Sequence, residues 1–200
     1  MIAIINYGLG NLHSVHKAIA HVGGEVIVTG DIREILGADK IILPGVGAFA
    51  DGMKGLEDRD LVPVMRETVA LGKPLLGICL GMQLLFEESE EQGYHRGLGL
   101  LPGRVVQFNG VDQKVPQIGW NQLEIQRPSR LLNGIKNNAY FYFNHGYFCT
   151  PERSGDVLTL TEYGTKFASA VENGNVYGVQ FHPEKSQKLG LRILRNFVEL

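Results

Sequence analysis

Residues 74 to 86 restrict the fold more than any other stretch of this chain: Pro-Leu-Leu-Gly-Ile-Cys-Leu-Gly-Met-Gln-Leu-Leu-Phe. Pro74 to Ile78 is a short apolar run, suited to a strand buried on both faces. Leu80 to Phe86 follows with Leu84, Leu85 and Phe86 placed to pack one side of a helix. Between them stands Cys79, with Gly77 two residues before it and Gly81 two after. Gly-x-Cys-x-Gly has the spacing of a nucleophile elbow, with sulfur in place of a serine oxygen. A strand that turns this sharply into a helix strains its central residue, and side chains on the flanking residues would collide. The turn also sets Cys79 at a helix N-terminus, where the macrodipole favours thiolate over thiol. A plain core cysteine is the competing reading, because free cysteine is among the most buried residue types.

The flanking sequence supplies the layers that such an elbow needs. Ile2 to Ile5 reads as a strand, Asn6 to Asn11 as a turn, and Leu12, Val15, Ile19 and Val22 as a helix face closed by Gly23 and Gly24. Glu25 to Thr29 is a second strand. Asp31 caps a short helix through Leu36, and Lys40 to Leu43 is a third strand. Asp60 to Leu71 is a helix closed by Gly72. Strand alternating with helix is the sign of a parallel sheet with helical crossovers. The second half is richer in strands: Gly103 to Phe108, Trp120 to Ile125, Ala139 to Phe143 and Val157 to Tyr163. Ala168 to Val171 and Val176 to Phe181 flank Asn173-Gly174, the best hairpin signal in the chain. A last helix, Leu189 to Leu200, carries Leu191, Leu194 and Val198 on one side. The expectation is one α/β domain over residues 1–200, with a mixed, mostly parallel central sheet flanked by helices.

Charge and cysteine content narrow the function classes. The formal charge is −2, so nothing electrostatic calls for nucleic acid or an anionic membrane as partner. No stretch approaches the length needed to span a bilayer. Two cysteines, Cys79 and Cys149, make neither a disulfide framework nor a zinc site by spacing, which suggests a reducing cytoplasm. His13, His16 and His21 lie on the first helix without a carboxylate or cysteine at ligand spacing, and read as a solvated face rather than a metal site. No cofactor is implied.

Two further motifs belong with the elbow. His182-Pro183-Glu184 ends the last strand. If strand alternation continues, residues 182 and 184 point to one side, and a carboxylate beside an imidazole is the base-plus-orienter half of a triad. Pro44-Gly45-Val46-Gly47 follows the third strand at the carboxyl edge, where open α/β sheets build their sites. A Gly-rich loop there can turn N–H groups toward an anion.

Together, Gly77-Ile78-Cys79-Leu80-Gly81-Met82-Gln83 and His182-Pro183-Glu184 resemble the triad-type (class I) glutamine amidotransferases. More narrowly, Asn6 to Leu12, Pro44 to Phe49, Gly119-Trp120-Asn121 and His182 to Ser186 resemble the glutaminase subunits of imidazole glycerol phosphate synthases, and the resemblance covers essentially the whole chain. Two departures stand out. The family commonly has His-Met before Gly-Trp-Asn, where this chain has Gln117-Ile118. It commonly has a hydroxyl residue after the histidine of a His-Ser/Thr-Tyr segment, where this chain has Gly146.

The resemblance implies hydrolysis of L-glutamine by a Cys79, His182, Glu184 triad. It implies an oxyanion hole from Leu80 and the Gly45, Val46, Gly47 loop, and substrate contacts at Gln83, His145, Gly146 and Tyr147. It further implies a (β/α)₈-barrel cyclase partner subunit, met through Asn11, Trp120, Asn121, Tyr142 and Lys185, that takes up the ammonia. Two rivals differ in kind. One is a stand-alone cysteine hydrolase on the same fold. The other is a dinucleotide-binding module built on Gly8-x-Gly10, with Asp31 near the distance of a ribose-binding acid. Against the latter, His13 occupies the position of the third glycine.

Overall fold

Four apolar tetrapeptides form the middle of the sheet: β1 (Ile2–Ile5), β3 (Lys40–Leu43), β4 (Leu75–Ile78) and β13 (Val176–Val179). With β2 (Val26–Thr29) they pair in parallel in the order β2-β1-β3-β4-β13. The computed structural model describes residues 1–200. Alternation along each strand sends side chains to two layers. Ile2, Ile4, Ile42 and Leu76 pack with α1 (Leu12–His21) and α6 (Gln187–Val198), whereas Ala3, Ile5, Ile41 and Leu75 pack under α2 (Ile32–Gly37), α3 (Phe49–Glu57) and α4 (Leu61–Ala70). Both faces are therefore dry, as continuous apolar strands require. The Asp31 cap is as expected: its Oδ1 accepts from the N–H groups of Arg33 and Glu34.

Beyond β13 the sheet turns antiparallel through β12 (Lys166–Asn173), β10 (Tyr147–Pro151) and β7 (Leu101–Gln107). The β12–β13 hairpin forms where Asn173-Gly174 marks it. Asn173 pairs with Val176, so the two loop residues are Gly174, at φ +57°, and Asn175. A ribbon of β8 (Gln117–Ile125) and β9 (Ala139–His145) joins this half through β11 (Val157–Glu162).

Several expectations need correction. The helix after Cys79 is short: α5 ends at Leu84, and Phe86 opens a strand, β5 (Phe86–Ser89), that pairs with β7 and with β6 (His95–Arg96). His182-Pro183-Glu184 does not continue β13; Pro183–Lys185 is a 3₁₀ turn. The buried face of α6 is Gly190, Ile193, Leu194 and Phe197, with Leu191 and Val198 at its border. The helix α3 and the strand β10 were not anticipated at all.

Candidate active site

The carboxyl ends of β3, β4 and β13 meet at Cys79. Its backbone is at φ +54°, ψ −111°, which a non-glycine residue adopts only under constraint. The constraint is visible in its neighbours. A Cβ on Gly77 would lie 2.6 Å from the Gly81 carbonyl oxygen, and one on Gly81 only 1.8 Å from that of Leu43. Both glycines are thus required by close backbone approach. The Cys79 N–H donates to the Val179 carbonyl at 2.8 Å, fixing the elbow to β13. The first hydrogen bonds of α5 run from Met82 and Gln83 to the Cys79 carbonyl. The N–H groups of Leu80 and Gly81 therefore have no intrahelical acceptor beside the sulfur.

The imidazole of His182 and the carboxylate of Glu184 lie 2.9 Å apart, Nδ1 to Oε1, with both side chains almost wholly buried. The proton on Nδ1 donates to Glu184, which leaves Nε2 as the nitrogen that exchanges a proton with Cys79. Nε2 is buried and meets no hydrogen-bond partner at normal geometry, but the Cys79 sulfur acts on it strongly. Burial alone would lower the ring's pKa; hydrogen bonding and charge from Cys79 and Glu184 outweigh it and raise it to about 10. A proton taken from sulfur is therefore held on the ring. The 3₁₀ turn, not strand alternation, brings these two side chains together, and the His182 N–H anchors it on the Tyr142 carbonyl at 2.9 Å.

A cavity of about 220 Å³ opens on Cys79. Val46, Gly47, Leu80, Gln83, His145, Gly146 and Tyr147 line it, all anticipated from the sequence. Gly45 lies just behind, where a Cβ would come within 2.6 Å of the Tyr7 hydroxyl and 2.8 Å of Leu80 Cβ. That hydroxyl donates to the Pro44 carbonyl at 2.6 Å and so pins the base of the loop. Gln83 donates from Nε2 to the Tyr147 carbonyl at 3.0 Å. His145 is turned inward. Its Nδ1 lies 2.7 Å from the Tyr147 carbonyl and its Nε2 2.9 Å from the Gln117 carboxamide. Burial pushes its pKa down to about 4, the hydrogen bond to Tyr147 opposing and His182 adding to the fall. The neutral ring donates to Tyr147, so Gln117 presents its amide nitrogen to Nε2. Gly146 brings only backbone to the cavity, and the Tyr147 carbonyl is taken up by Gln83 and His145.

Three residues at this site carried no sequence signal. Glu91 lines the cavity, accepts from the Phe49 N–H at 2.8 Å, and has its pKa raised by burial. It stands in a run of glutamates that nothing distinguishes. The Asn144 carbonyl accepts from the Cys79 thiol at 3.8 Å, and Gln180 touches the same sulfur. Cys149 is fully buried and its thiol is pushed well up by burial, as a packing residue should be.

The predicted partner residues separate into two sets. Trp120, about half exposed, stands edge-on to Tyr142 at 6.1 Å, and Lys185 Nζ lies 5.7 Å from the Tyr142 ring centre. Asn121 points to the other face of the ribbon and donates to the Glu162 carbonyl at 2.8 Å, while Asn11 caps α1 by accepting from the Ser14 N–H. The three histidines of α1 form no group that could hold a metal. At the Gly8-x-Gly10 turn a Cβ on Gly8 would meet the Arg59 guanidinium at 3.2 Å and one on Gly10 would meet Pro44 at 3.4 Å.

A model of the family described as glutamine amidotransferase class-I matches residues 3–200. The chain belongs to the class I glutamine amidotransferases. Among curated relatives, the imidazole glycerol phosphate synthase subunit HisH of Aquifex aeolicus is 53% identical over 195 residues, covering 97% of this chain and 94% of that one. The protein of the same name from Moorella thermoacetica is 52% identical over 200 residues, covering 100% and 94%. Two solved structures of similar shape cover nearly the whole chain. A crystal structure described as a glutamine amidotransferase superposes with a TM-score of 0.78 at 22% identity, covering 100% of this chain and 98% of that one. PurLQS from Thermotoga maritima superposes at 0.76 with 17% identity, covering 99% and 97%. At those identities the likeness concerns the fold alone.

Proposed function

We propose that this chain is the glutaminase subunit of an imidazole glycerol phosphate synthase. It hydrolyses L-glutamine to glutamate and passes the ammonia to a (β/α)₈-barrel cyclase subunit, which builds imidazole glycerol phosphate and aminoimidazole carboxamide ribotide in histidine biosynthesis. The observation that carries the chemistry is the buried His182–Glu184 pair beside a strained Cys79 that lines a cavity of about 220 Å³. The relatives' shared name supports the pathway.

Cys79 gives its proton to His182 Nε2 and the thiolate attacks the glutamine side-chain carbonyl. The oxyanion is met by the Leu80 N–H and by an N–H of the Gly45-Val46-Gly47 loop, each such donor being worth about 10²–10³ in rate. His182 then returns the proton to the leaving nitrogen, so neutral ammonia departs, and water releases glutamate from the thioester. Glu184 holds the imidazole in the tautomer this requires. Glutamine is recognised at its two ends. Gln83 Oε1, with no partner inside the protein, accepts from the carboxamide, and Glu91 receives the α-ammonium group. Free ammonia protonates at neutral pH and loses its nucleophilicity, so direct transfer to a partner follows from the chemistry. Its work is expected in the cytoplasm; no helix is long and apolar enough to cross a membrane.

The stand-alone hydrolase reading fits the cavity less well. The cavity of about 220 Å³ is of a size for one free amino acid, and Gln83 and Glu91 at its lining suit the two ends of glutamine. The deciding experiment mixes the chain with a cyclase subunit and compares glutamine with ammonium as nitrogen donor. Glutamine-dependent synthesis that vanishes in Cys79→Ala, while ammonia-dependent synthesis persists, is the expected result. Full glutaminase turnover in Cys79→Ala would overturn the reading.

A further inference from the structure

Gln180 is two residues from His182, fully buried, and has no part in the triad. A leucine would fill such a place without leaving polar atoms to satisfy, so the carboxamide calls for a reason. Its orientation follows from its neighbours. The Tyr147 carbonyl only accepts, so the Gln83 atom 3.0 Å from it is nitrogen. The same nitrogen lies 3.1 Å from Gln180, which must present its oxygen there. The Gln180 NH₂ is therefore the group 3.7 Å from Cys79 Sγ, within the longer reach of hydrogen bonds to sulfur. Its backbone is fixed as well, the N–H donating to the Ser169 carbonyl at 2.9 Å.

We propose that Gln180 is a catalytic residue whose carboxamide N–H donates to the Cys79 sulfur and stabilises it as the attacking anion. The proposal rests on Cys79 being the nucleophile. As a thiol, Cys79 donates to the Asn144 carbonyl at 3.8 Å. Once the proton has passed to His182, that carbonyl faces an anion and offers nothing. Gln180 then supplies a donor that does not titrate and so cannot compete for the proton. The carboxamide also links two tasks: its oxygen orders Gln83 toward substrate while its nitrogen holds the nucleophile.

The test is the rate of Cys79 alkylation by iodoacetamide between pH 6 and pH 9, read by mass spectrometry on the full chain. Gln180→Met keeps the volume and removes both polar atoms. Gln180→Glu keeps the acceptor for Gln83 and removes the donor to sulfur. Loss of a hydrogen bond to a charged atom should slow alkylation at pH 7 by about tenfold or more in Gln180→Met, with the pH–rate profile displaced upward. The loss should be larger in Gln180→Glu, where a carboxylate faces the sulfur, with circular dichroism unchanged. A purely structural role would leave the profile in place, and profiles of both variants that superimpose on the parent's would overturn the proposal. The parent chain separates the two readings. Alkylation of Cys149 as readily as Cys79, or no protection of Cys79 by glutamine, would remove the nucleophile assignment itself.

Discussion

In the proposed mechanism Cys79 and His182 divide one proton between them, and Glu184 decides which face of the imidazole offers it. Removing His182 removes the proton carrier, so His182→Ala should lower kcat by about 10²–10⁴. Glu184→Gln should cost less, since a carboxamide oxygen can still accept from Nδ1; equal or reversed losses in steady-state glutaminase rates would contradict these roles. His145 gives a pH prediction of definite sign. Its folded pKa of about 4 lies below the ordinary value of 6.5, so the unfolded chain takes the proton first as pH falls. The stabilisation is complete above pH 6.5 and is lost on descent toward pH 4, amounting to about 2–3 kcal/mol by pH 4.5. Urea unfolding at pH 7 and pH 4.5 checks it: His145→Asn, which keeps a donor for Tyr147, should lose less stability between the two than the parent. At this scale the clustering of Cys79, His182 and Glu184 was legible, because Gly-x-Cys-x-Gly and His-Pro-Glu are local patterns that the proposed chemistry demands. Glu91 and Gln180 were not, because each acquires its meaning only from segments distant in the chain. Asn11 and Asn121 stand on the proposed partner face by resemblance, and each also makes a hydrogen bond within the fold.

At the scale of elements, glycine explains both what could be read and what could not. The helix α3 was missed because Gly52 and Gly55 weaken its propensity. Both are there for contact: a Cβ on Gly52 would lie 3.0 Å from Leu84, and one on Gly55 would lie 2.5 Å from the Tyr7 carbonyl. Phe86 reads as the end of a helix face with Leu84 and Leu85, and instead opens a strand because β7 offers it a partner. The four central parallel strands were legible, since strands buried on both faces are unbroken apolar runs. Two glycines of the site should respond differently to alanine, one chiefly in stability and the other chiefly in turnover. Gly81→Ala drives a Cβ into the Leu43 carbonyl and separates α5 from β3, with an expected loss of at least about 3 kcal/mol in chemical unfolding. Gly47 has nothing within 4 Å of a Cβ but a φ of +111°. Gly47→Ala should therefore cost only about 1–2 kcal/mol of stability. Turnover should fall by more, up to about 10²–10³, if the loop supplies an oxyanion donor. Unfolding midpoints and turnover on the same two variants separate the cases, and a Gly47→Ala enzyme with full activity would remove the loop from the oxyanion hole.

For the whole molecule, the proposed docking face and the active site share residues, which suggests how a partner could control the chemistry. Tyr142 stands between Trp120 and Lys185 on the outside, and its carbonyl receives the His182 N–H on the inside. The turn before Asn11 rests on the loop through Gly10 and Pro44, and the Tyr7 hydroxyl holds the Pro44 carbonyl. A cyclase seated on this face would thus touch both the base and the oxyanion loop. An unregulated glutaminase would release ammonia with no acceptor, and one misplaced oxyanion donor suppresses turnover by about 10²–10³. The expectation is a chain nearly silent alone, in which partner and acceptor binding favour the loop form whose N–H faces the oxyanion. Moving such an equilibrium from 1:99 to 99:1 takes about 5.5 kcal/mol, within reach of an interface anchored by aromatic residues. Trp120→Ala should raise the dissociation constant for the cyclase by about thirtyfold or more, because a half-exposed tryptophan gains its energy only when covered. Lys185→Ala should weaken stimulation without unfolding the chain, since its ammonium rests on Tyr142 beside the triad. Gly47→Ala should lower the stimulated rate far more than the basal one. Steady-state glutaminase kinetics with and without the cyclase and its nucleotide ligand measure all three. If the isolated chain already turns over at the stimulated rate, the loop is a fixed turn and the partner contributes only the path by which ammonia leaves.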